Sequence, residues 1–165
     1  MIVLFARRCH PGRRLPRNHR LVILPATGIP LGVLFVIEAL NEIEVVTLFV
    51  SDLGKTKAFY RTVFGLPVVY EDANCAVMKF GGLMINLLER SRAPVLVTPR
   101  TIAEPGAAPS ALLTIKVADV DSVCRQLGEH GVALLNGPVD RPWKRRTATF
   151  EDPAGNVWEI AQVLN

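Results

Sequence analysis

A single carboxylate interrupts an apolar segment near the C-terminus of the chain. The segment VWEIAQ, residues 157–162, alternates as a strand does, follows a turn that contains Pro153, and carries Glu159 near its middle. A strand seldom places a carboxylate there unless that face is wet, paired or bound to a metal. Glu159 is therefore a candidate metal ligand, a candidate substrate contact or acid–base group, or an ordinary residue that is either solvated or paired to Lys116.

The same segment occurs earlier in the chain with an amide in place of the carboxylate. GLMINLLE, residues 82–89, parallels GNVWEIAQ, residues 155–162, so that Asn86 matches Glu159 at an offset of 73. An amide can orient a ligand by hydrogen bonding, or it can be a polar residue on a wet face. Its equivalence to Glu159 adds weight to the functional interpretation.

Both segments belong to a longer internal repeat. TLFVSDLGKTKAFYRTVFGLPVV parallels TIKVADVDSVCRQLGEHGVALL at an offset of 67, and six extra residues in the second copy account for the later offset of 73. Each copy predicts a strand, then a helix, then further strands. The helix start is marked by Ser51 or Asp52 in the first copy and by Asp119 in the second. The predicted fold class is therefore α+β, with a βαβββ module in each copy.

Composition divides the chain before the first copy. Residues 1–40 hold six arginines and one acid, whereas residues 41–165 hold 13 basic and 14 acidic residues, so the net charge of +4 comes from the N-terminal part. The remainder lacks the basic patch of a nucleic-acid-binding protein. We expect residues 41–165 to form one domain, with modules at 45–89 and 111–163 joined by an extended, proline-rich link at 90–110.

Residues 1–40 are expected to be an extension outside the fold or to follow from a misassigned start. Their uncharged run, residues 21–37, comes after the arginines, as in a signal peptide or a membrane anchor. However, prolines and glycines interrupt the run, which is also short for a span, so we expect no membrane association. Three scattered cysteines form neither a disulfide framework nor a zinc-site spacing. This favours a reducing, cytoplasmic location.

Two motifs of the repeat, VSDLGKTKAFYRTVFGL and FEDPAGNVWEI, resemble the vicinal oxygen chelate superfamily, which contains glyoxalase I, extradiol dioxygenases, and fosfomycin- and bleomycin-resistance proteins. The resemblance covers about residues 45–163. It implies a glyoxalase-like fold, in which paired modules curl their mixed sheets around a cleft. It also implies metal-ligand positions at the start of the first strand and on the last strand of each module, here Val45, Asn86, Leu112 and Glu159.

The residues at these four positions do not form a metal-binding set. Val45 and Leu112 have no donor atoms, and Asn86 offers only a neutral amide oxygen beside the one carboxylate. A divalent transition metal needs about three protein ligands drawn from His, Cys or carboxylate. His130, the only histidine after residue 41, lies at a predicted helix end and cannot complete the set. We therefore expect no metal and no other cofactor.

Strand alternation predicts which side chains share the cleft with Glu159. The resemblance also places the loop that carries Trp143 at the border of the cleft, where a large aromatic side chain is rarely left exposed without cause. Of the four basic residues in DRPWKRRTATF, we expect only Arg146 to line the rim. The predicted ligand-binding residues are Phe49, Met84, Asn86, Lys116, Trp143, Thr147, Thr149 and Glu159, with Asn86 and Glu159 on opposite walls of one pocket.

These features favour a protein of the bleomycin-resistance type, which binds a small organic molecule in a mostly apolar cleft without changing it. The alternative is a divergent enzyme of the same superfamily, of the lyase, isomerase or dioxygenase type. Such an enzyme would use Glu159 as an acid or base without a metal. A metal-dependent enzyme is the less favoured form of this alternative, because the residues at the ligand positions do not suit a metal. Each module exposes a sheet edge, and edges are normally paired or covered. The resemblance implies that modules pair edge to edge, within one chain or across two, and the link at 90–110 is long enough for either arrangement. We expect a homodimer with two equivalent clefts.

Overall fold

The structure, a computed structural model, describes residue 37 and residues 39–165. By its contacts the chain divides into two units between Asn41 and Glu42, and every helix and strand given below belongs to the second unit. The expected extension, residues 1–40, lies almost entirely outside the described residues. No helix in the described part is both long enough and apolar enough to cross a membrane.

The first module is a four-stranded mixed sheet with a helix on one face. Its elements are β1 (Val45–Val50), α1 (Leu53–Thr62), β2 (Val68–Glu71), β3 (Cys75–Phe80) and β4 (Leu83–Glu89). The strand order is β1-β4-β3-β2, with β1 parallel to β4 and the other neighbours antiparallel. Of the two predicted caps, Asp52 starts α1, because its side chain accepts a hydrogen bond from the Lys55 amide at 2.8 Å.

The second module repeats this arrangement. Its elements are β5 (Leu113–Lys116), α3 (Val120–Glu129), β6 (Leu134–Arg141), β7 (Arg145–Glu151) and β8 (Val157–Val163). The strand order is β5-β8-β7-β6, with β5 parallel to β8. Asp119 caps α3 by accepting from the Ser122 amide at 3.0 Å, as predicted. The predicted α+β fold with two βαβββ modules is confirmed.

The link between the modules is not wholly extended, and this part of the prediction is wrong. It begins with a 3-10 turn at Arg90–Arg92 and a one-turn helix, α2, at Pro94–Val97. Proline is compatible with the first turn of a helix, because the amide that it lacks has no partner there in any case. Ala93, between the two turns, is buried. The start of the link is therefore packed against the domain.

The alternating apolar positions of both sheets form one core. In each sheet the face under the helix is buried, and the opposite face, here called the open face, is not covered by a helix of its own module. Burying a large apolar side chain of this kind stabilises the fold by roughly 1.5–3 kcal/mol. The buried strand residues of the core include Leu48, Val50, Met78, Ile85, Leu87, Phe150, Trp158 and Ile160.

The two sheets pack against each other through their helix-covered faces. Phe80 of β3 lies 5.8 Å, ring centroid to ring centroid, from Trp158 of β8. If the sheets were joined side by side through β1 and β5, four strand spacings, or ~19 Å, would separate β3 from β8. No such joint occurs between the described strands, which form two separate sheets. The open faces of the two sheets consequently point away from each other.

A buried hydrogen-bonded group fastens α1 to the turn before β8. The Tyr60 hydroxyl, which is fully buried, donates to Asp152 Oδ2 at 2.7 Å and accepts from Trp158 Nε1 at 3.0 Å. Asp152 also accepts from the amides of Ala154 and Asn156. Burial, followed by the charge of Asp152, raises the pKa of Tyr60 far above its usual value. Tyr60 therefore remains protonated and fixes the strand that carries Glu159.

Candidate functional site

A cavity of about 320 Å³ lies on the open face of the second module. Strand alternation brings its residues together, because β5, β7 and β8 lie side by side and each presents every second side chain to this face. All of its lining comes from the second module: Thr114, Lys116, Trp143, Arg145, Thr147, Glu159 and Ala161. Four of the predicted ligand-binding residues, Lys116, Trp143, Thr147 and Glu159, are in this set. We call it the Glu159 cavity.

Glu159 lies in the middle of β8, between Thr114 of β5 and Thr149 of β7 in the strand register. The Thr114 hydroxyl donates to Glu159 Oε1 at 3.0 Å. No ion pair joins Glu159 to Lys116 or to any other described residue, so of the alternatives for Glu159 the Lys116 pair is not found. Since Oε2 accepts no hydrogen bond from a described residue, the carboxylate retains capacity for a ligand.

Thr114 was not among the predicted site residues, although its position opposite Glu159 follows from the repeat. Thr149 is opposite Glu159 on the other side, yet it is not part of the cavity lining. Thr147 is buried, and its hydroxyl accepts from Arg141 Nε at 3.0 Å. The cavity floor is thus made of short side chains, Thr147 and Ala161, which leave space above the sheet.

Arg145, and not Arg146, faces the cavity. Arg146 lies on the helix-covered side, where Nη2 binds Asp121 of α3 at 2.8 Å and Nη1 binds Asp140 of β6 at 2.6 Å. The expectation that Arg146 lines the rim is therefore wrong. The strand period of two decides this point, since Thr147 and Arg145 share one face and Arg146 must take the other. The same parity, applied to the sequence, would have selected Arg145.

Trp143 lies in the turn between β6 and β7, and its side chain is 66% exposed although it borders the cavity. The turn is closed by a hydrogen bond from the Lys144 amide to the Arg141 carbonyl at 3.1 Å. Large aromatic side chains so exposed commonly mark an interaction site. The indole is placed where it can cover a ligand that occupies the Glu159 cavity.

The remaining predicted residues, Phe49, Met84 and Asn86, belong to the first module and do not line this cavity. Asn86 Nδ2 donates to Thr47 Oγ1 at 3.3 Å, whereas Asn86 Oδ1 is buried without a hydrogen-bond partner among the described residues. The expectation that Asn86 and Glu159 form opposite walls of one pocket is wrong within a single chain. The reason is the packing of the helix-covered faces, which turns the two open faces apart.

The donor set does not fit a metal ion. Asn86 and Glu159 lie on open faces that point apart, and the equivalent positions on the first strands are occupied by Val45 and Leu112, which have no donor atoms. Among the residues that the structure describes, no group of three or more His, Cys, Asp or Glu side chains lies together as a metal site would require. Residues 114–161 instead offer one carboxylate, two hydroxyls and two cations around the cavity.

The family model of the glyoxalase/bleomycin resistance protein/dioxygenase superfamily matches residues 42–160. The chain belongs to this superfamily. It is 36% identical over 123 residues to the uncharacterized protein YraH of Bacillus subtilis, a match that covers 72% of this chain and 96% of YraH. It is 28% identical over 128 residues to the virulence protein STM3117 of Salmonella typhimurium, covering 76% of this chain and 86% of that protein.

Solved structures of the superfamily share the fold. A glyoxalase/bleomycin resistance protein/dioxygenase from Nocardioides matches with a TM-score of 0.69 and 21% identity, covering 76% of this chain and 85% of that one. The crystal structure of STM3117 matches with a TM-score of 0.59 and 26% identity, covering 76% and 98%. The glyoxalase-like fold implied by the sequence motifs is thereby confirmed.

Proposed function

We propose that this protein binds a small organic molecule, without a metal, in the Glu159 cavity and under the indole of Trp143. The observation that carries the proposal is the combination of an exposed aromatic side chain, a floor of short side chains and a carboxylate with free hydrogen-bonding capacity. Binding sites for small molecules are typically concave and have a few placed polar groups. A volume of about 320 Å³ is at the lower end of their range, which suits one half of a larger cleft.

The second half of the cleft is supplied by another copy of the chain in a homodimer. The outer edges of β1 and β5 are unpaired among the described strands. Val45, the first residue of β1, is 41% exposed, and Leu112, directly before β5, is 50% exposed. Unpaired edges of this kind invite pairing with another chain. Pairing β1 of one copy with β5 of the other would place the open face that carries Asn86 beside the Glu159 cavity.

Asn86 supports this arrangement. A buried amide oxygen without a hydrogen-bond donor costs roughly 1–3 kcal/mol, and such groups usually have a partner. A ligand that lies between the two modules would supply the missing donor to Asn86 Oδ1. Phe49 and Met84, which share the open face with Asn86, would then add apolar contacts to the same ligand. Thr149, next to Glu159 in the register, would extend the polar wall.

Sequestration of the ligand is favoured over its conversion. Acid–base catalysis requires a group that touches the substrate and, in most cases, a partner that completes the proton transfer. Around the cavity Glu159 is the sole carboxylate in the lining, and no cysteine or histidine joins it there.

The Cys75 and Cys124 thiols are free, and we place the protein in the cytoplasm on that basis.

The proposal is tested by identifying the molecule and removing its contacts. Full-length protein is purified, denatured and extracted, and the released compound is identified by mass spectrometry and titrated back by calorimetry. Trp143→Ala should weaken its binding by about 1–3 kcal/mol, the range for a lost aromatic contact. Glu159→Gln keeps the shape of the site and removes the charge of the carboxylate. It should weaken the binding of a ligand that donates a hydrogen bond to this group. Val95→Ala, an exposed apolar residue of α2, is the matched control.

Two outcomes would contradict the proposal. If neither Trp143→Ala nor Glu159→Gln alters the affinity for the recovered compound, the site lies elsewhere. If Glu159→Gln retains the affinity but the wild-type protein converts the compound and the variant does not, the protein is an enzyme with Glu159 as its acid or base.

A further inference from the structure

The charges around the Glu159 cavity are unbalanced. Lys116 and Arg145 line it together with the single carboxylate, Glu159. Neither cation forms an ion pair with a carboxylate of the described residues, whereas Arg146, the next residue along β7, binds two aspartates. The cavity therefore has a net positive charge that the protein does not neutralise locally.

The positive and negative groups are separated along the sheet. In the register, Glu159 is opposite Thr114, Ala161 is opposite Lys116, and Val163 is opposite Arg145. At 3.4 Å per residue, the row of Lys116 is ~7 Å from the row of Glu159, and the row of Arg145 is ~14 Å away. The short side chains of the floor, Thr147 and Ala161, lie in the same row as Lys116, between the rows of Glu159 and Arg145. The cavity can thus hold a molecule with a hydrogen-bond donor at one end and a negative charge at the other.

A third cation reinforces the positive pole. Arg141 of β6 is directly opposite Arg145 of β7 in the register. Its guanidinium is held in place, since Nε donates to Thr147 Oγ1 at 3.0 Å and Nη2 donates to Asn136 Oδ1 at 3.1 Å. Like charges directly opposite each other across two strands are destabilising. An anionic group bound beside Arg145 would relieve this repulsion, and arginine binds planar carboxylates with paired hydrogen bonds.

We propose that the ligand is an aromatic acid that also carries a hydroxyl or amino group. Its carboxylate lies against Lys116 and Arg145, its ring lies under Trp143, and its hydroxyl or amino group donates to Glu159. A plain anion would meet repulsion from Glu159, and a plain cation would meet repulsion from the positive pole. This assignment rests on the proposed function, because it deepens the chemistry of the same site.

Four probes with one ring system test the assignment on the full-length protein by calorimetry. They are 6-hydroxy-2-naphthoate, 2-naphthoate, 2-naphthol and 2-naphthylmethylammonium. The hydroxy acid should bind most tightly, and 2-naphthol, which lacks the carboxylate, should bind at least about tenfold more weakly, as expected for a lost charge-assisted hydrogen bond. Lys116→Gln and Arg145→Gln should weaken both acids by a similar factor and leave 2-naphthol within twofold. Arg125→Gln, on the exposed side of α3, is the charge-matched control.

The outcomes separate this assignment from the proposed function. If the ammonium or the neutral probe binds more tightly than both acids, and Trp143→Ala still weakens that binding, the acid assignment is overturned while the binding function stands. The assignment is also overturned if Lys116→Gln and Arg145→Gln leave the acids unaffected. If no probe binds at millimolar concentration, the acid assignment is overturned. If, in addition, the compound recovered from the purified protein does not respond to Trp143→Ala or Glu159→Gln, the proposed function fails as well.

Discussion

At the scale of single residues, Glu159 and Asn86 hold equivalent positions with equivalent partners. Thr114 donates to Glu159, and Thr47 accepts from Asn86, so the duplicated strands have kept a threonine beside each polar group. The difference between the two modules is one of charge, since only one of the pair is a carboxylate. The two copies of the pattern therefore carry one charged and one neutral polar side chain at equivalent positions.

Tyr60 provides a prediction on stability. Tyr60→Phe removes the hydroxyl that joins α1 to Asp152 and Trp158, and it should lower the free energy of unfolding by about 1–3 kcal/mol at pH 7, the range for a buried polar group that loses its partner. Urea denaturation measures the change. Tyr70→Phe, which removes an exposed hydroxyl bound to Asp72, is the control and should have a much smaller effect.

The same residue gives a dependence on pH. The pKa of Tyr60 is raised in the folded protein by burial and by Asp152, whereas an unfolded tyrosine ionises near pH ~10. A raised pKa means that the contribution of Tyr60 is fully present below pH ~10 and is lost as the pH rises beyond it. The difference in unfolding free energy between the wild type and Tyr60→Phe should therefore shrink between pH 9 and 11. A constant difference over that interval would show that Tyr60 ionises as easily in the fold as outside it.

At the scale of elements, β7 carries two neighbouring arginines on opposite faces, and of the two only Arg146 forms ion pairs among the described residues. Arg145→Gln should not lower the melting temperature, because Arg145 has no ion-pair partner among the described residues and lies opposite the like charge of Arg141. Arg146→Gln should lower it, because Arg146 joins β7 to Asp121 of α3 and to Asp140 of β6. Thermal denaturation of both variants at pH 7 measures the contrast. Equal melting temperatures for the two variants would contradict the assignment of the two faces.

Acid should reduce the difference in melting temperature between the wild type and Arg146→Gln. The hydrogen bond from Arg146 lowers the pKa of Asp121 below its usual value. A lowered pKa gives stability that is present above the unfolded pKa, near ~3.9, and is lost as the pH falls through the folded value. Melting curves recorded from pH 7 to pH 2 should therefore converge for the wild type and Arg146→Gln at the acid end.

Gly137 of β6 provides a further prediction for an element. Its φ is +88°, and a Cβ there would come within 2.4 Å of the Thr147 carbonyl oxygen and 2.8 Å of the Ala148 Cα. Gly137→Ala should therefore push β6 away from β7 and disturb the floor of the cavity. Gly81→Ala, at the β3–β4 turn, is the matched control, since φ is also positive but no atom lies within 4 Å.

Urea denaturation should separate the two glycine variants. Gly81→Ala is expected to cost about 1–2 kcal/mol, the penalty of a left-handed conformation for alanine. Gly137→Ala carries the same penalty and adds a clash with backbone atoms, so its loss should be clearly larger. Equal losses would mean that β6 can shift without cost.

The sequence predicted the elements well, because the repeat and the strand alternation are local features. Both helix starts, the two modules and the buried faces followed from residues such as Asp119, Ile160 and Trp158. The prediction for Arg146 was wrong because successive residues of a strand face opposite sides. Counting back from Thr147 would have placed Arg145, not Arg146, on the cavity side. The helical start of the link was missed because four prolines suggested an extended chain, although proline is tolerated at the start of a helix.

At the scale of the whole molecule, the relation between the modules could not be predicted from the sequence. Two βαβββ units can pair by their edges or pack by their covered faces, and both arrangements bury the same alternating apolar residues. The two sheets pack by their covered faces, because Phe80 of β3 contacts Trp158 of β8 and the buried Tyr60 hydroxyl of α1 donates to Asp152. Pairing within one chain and pairing across two chains both remained open from the sequence, and in this packing Asn86 and Glu159, which the repeat makes equivalent, lie on opposite sides of a single chain.

The face-to-face packing predicts an assembly through the unpaired edges. Light scattering at micromolar concentration should give twice the 18.1 kDa mass of one chain. Leu112→Lys places a charge on the exposed start of the β5 edge, and it should give the monomer mass, because edge lysines oppose strand pairing. Leu135→Lys, on β6 at the other edge of the same sheet, is the control and should remain a dimer. A wild-type protein that is monomeric at this concentration would rule out a composite cleft.

Native mass spectrometry of freshly purified full-length protein tests most directly whether the cleft binds an organic molecule without a metal. We predict a homodimer that carries an organic compound and no stoichiometric metal, with the compound lost in Trp143→Ala. One Zn²⁺, Ni²⁺, Fe²⁺ or Mn²⁺ ion per chain that survives desalting and disappears in Glu159→Ala would contradict the account, because it would make Glu159 a metal ligand.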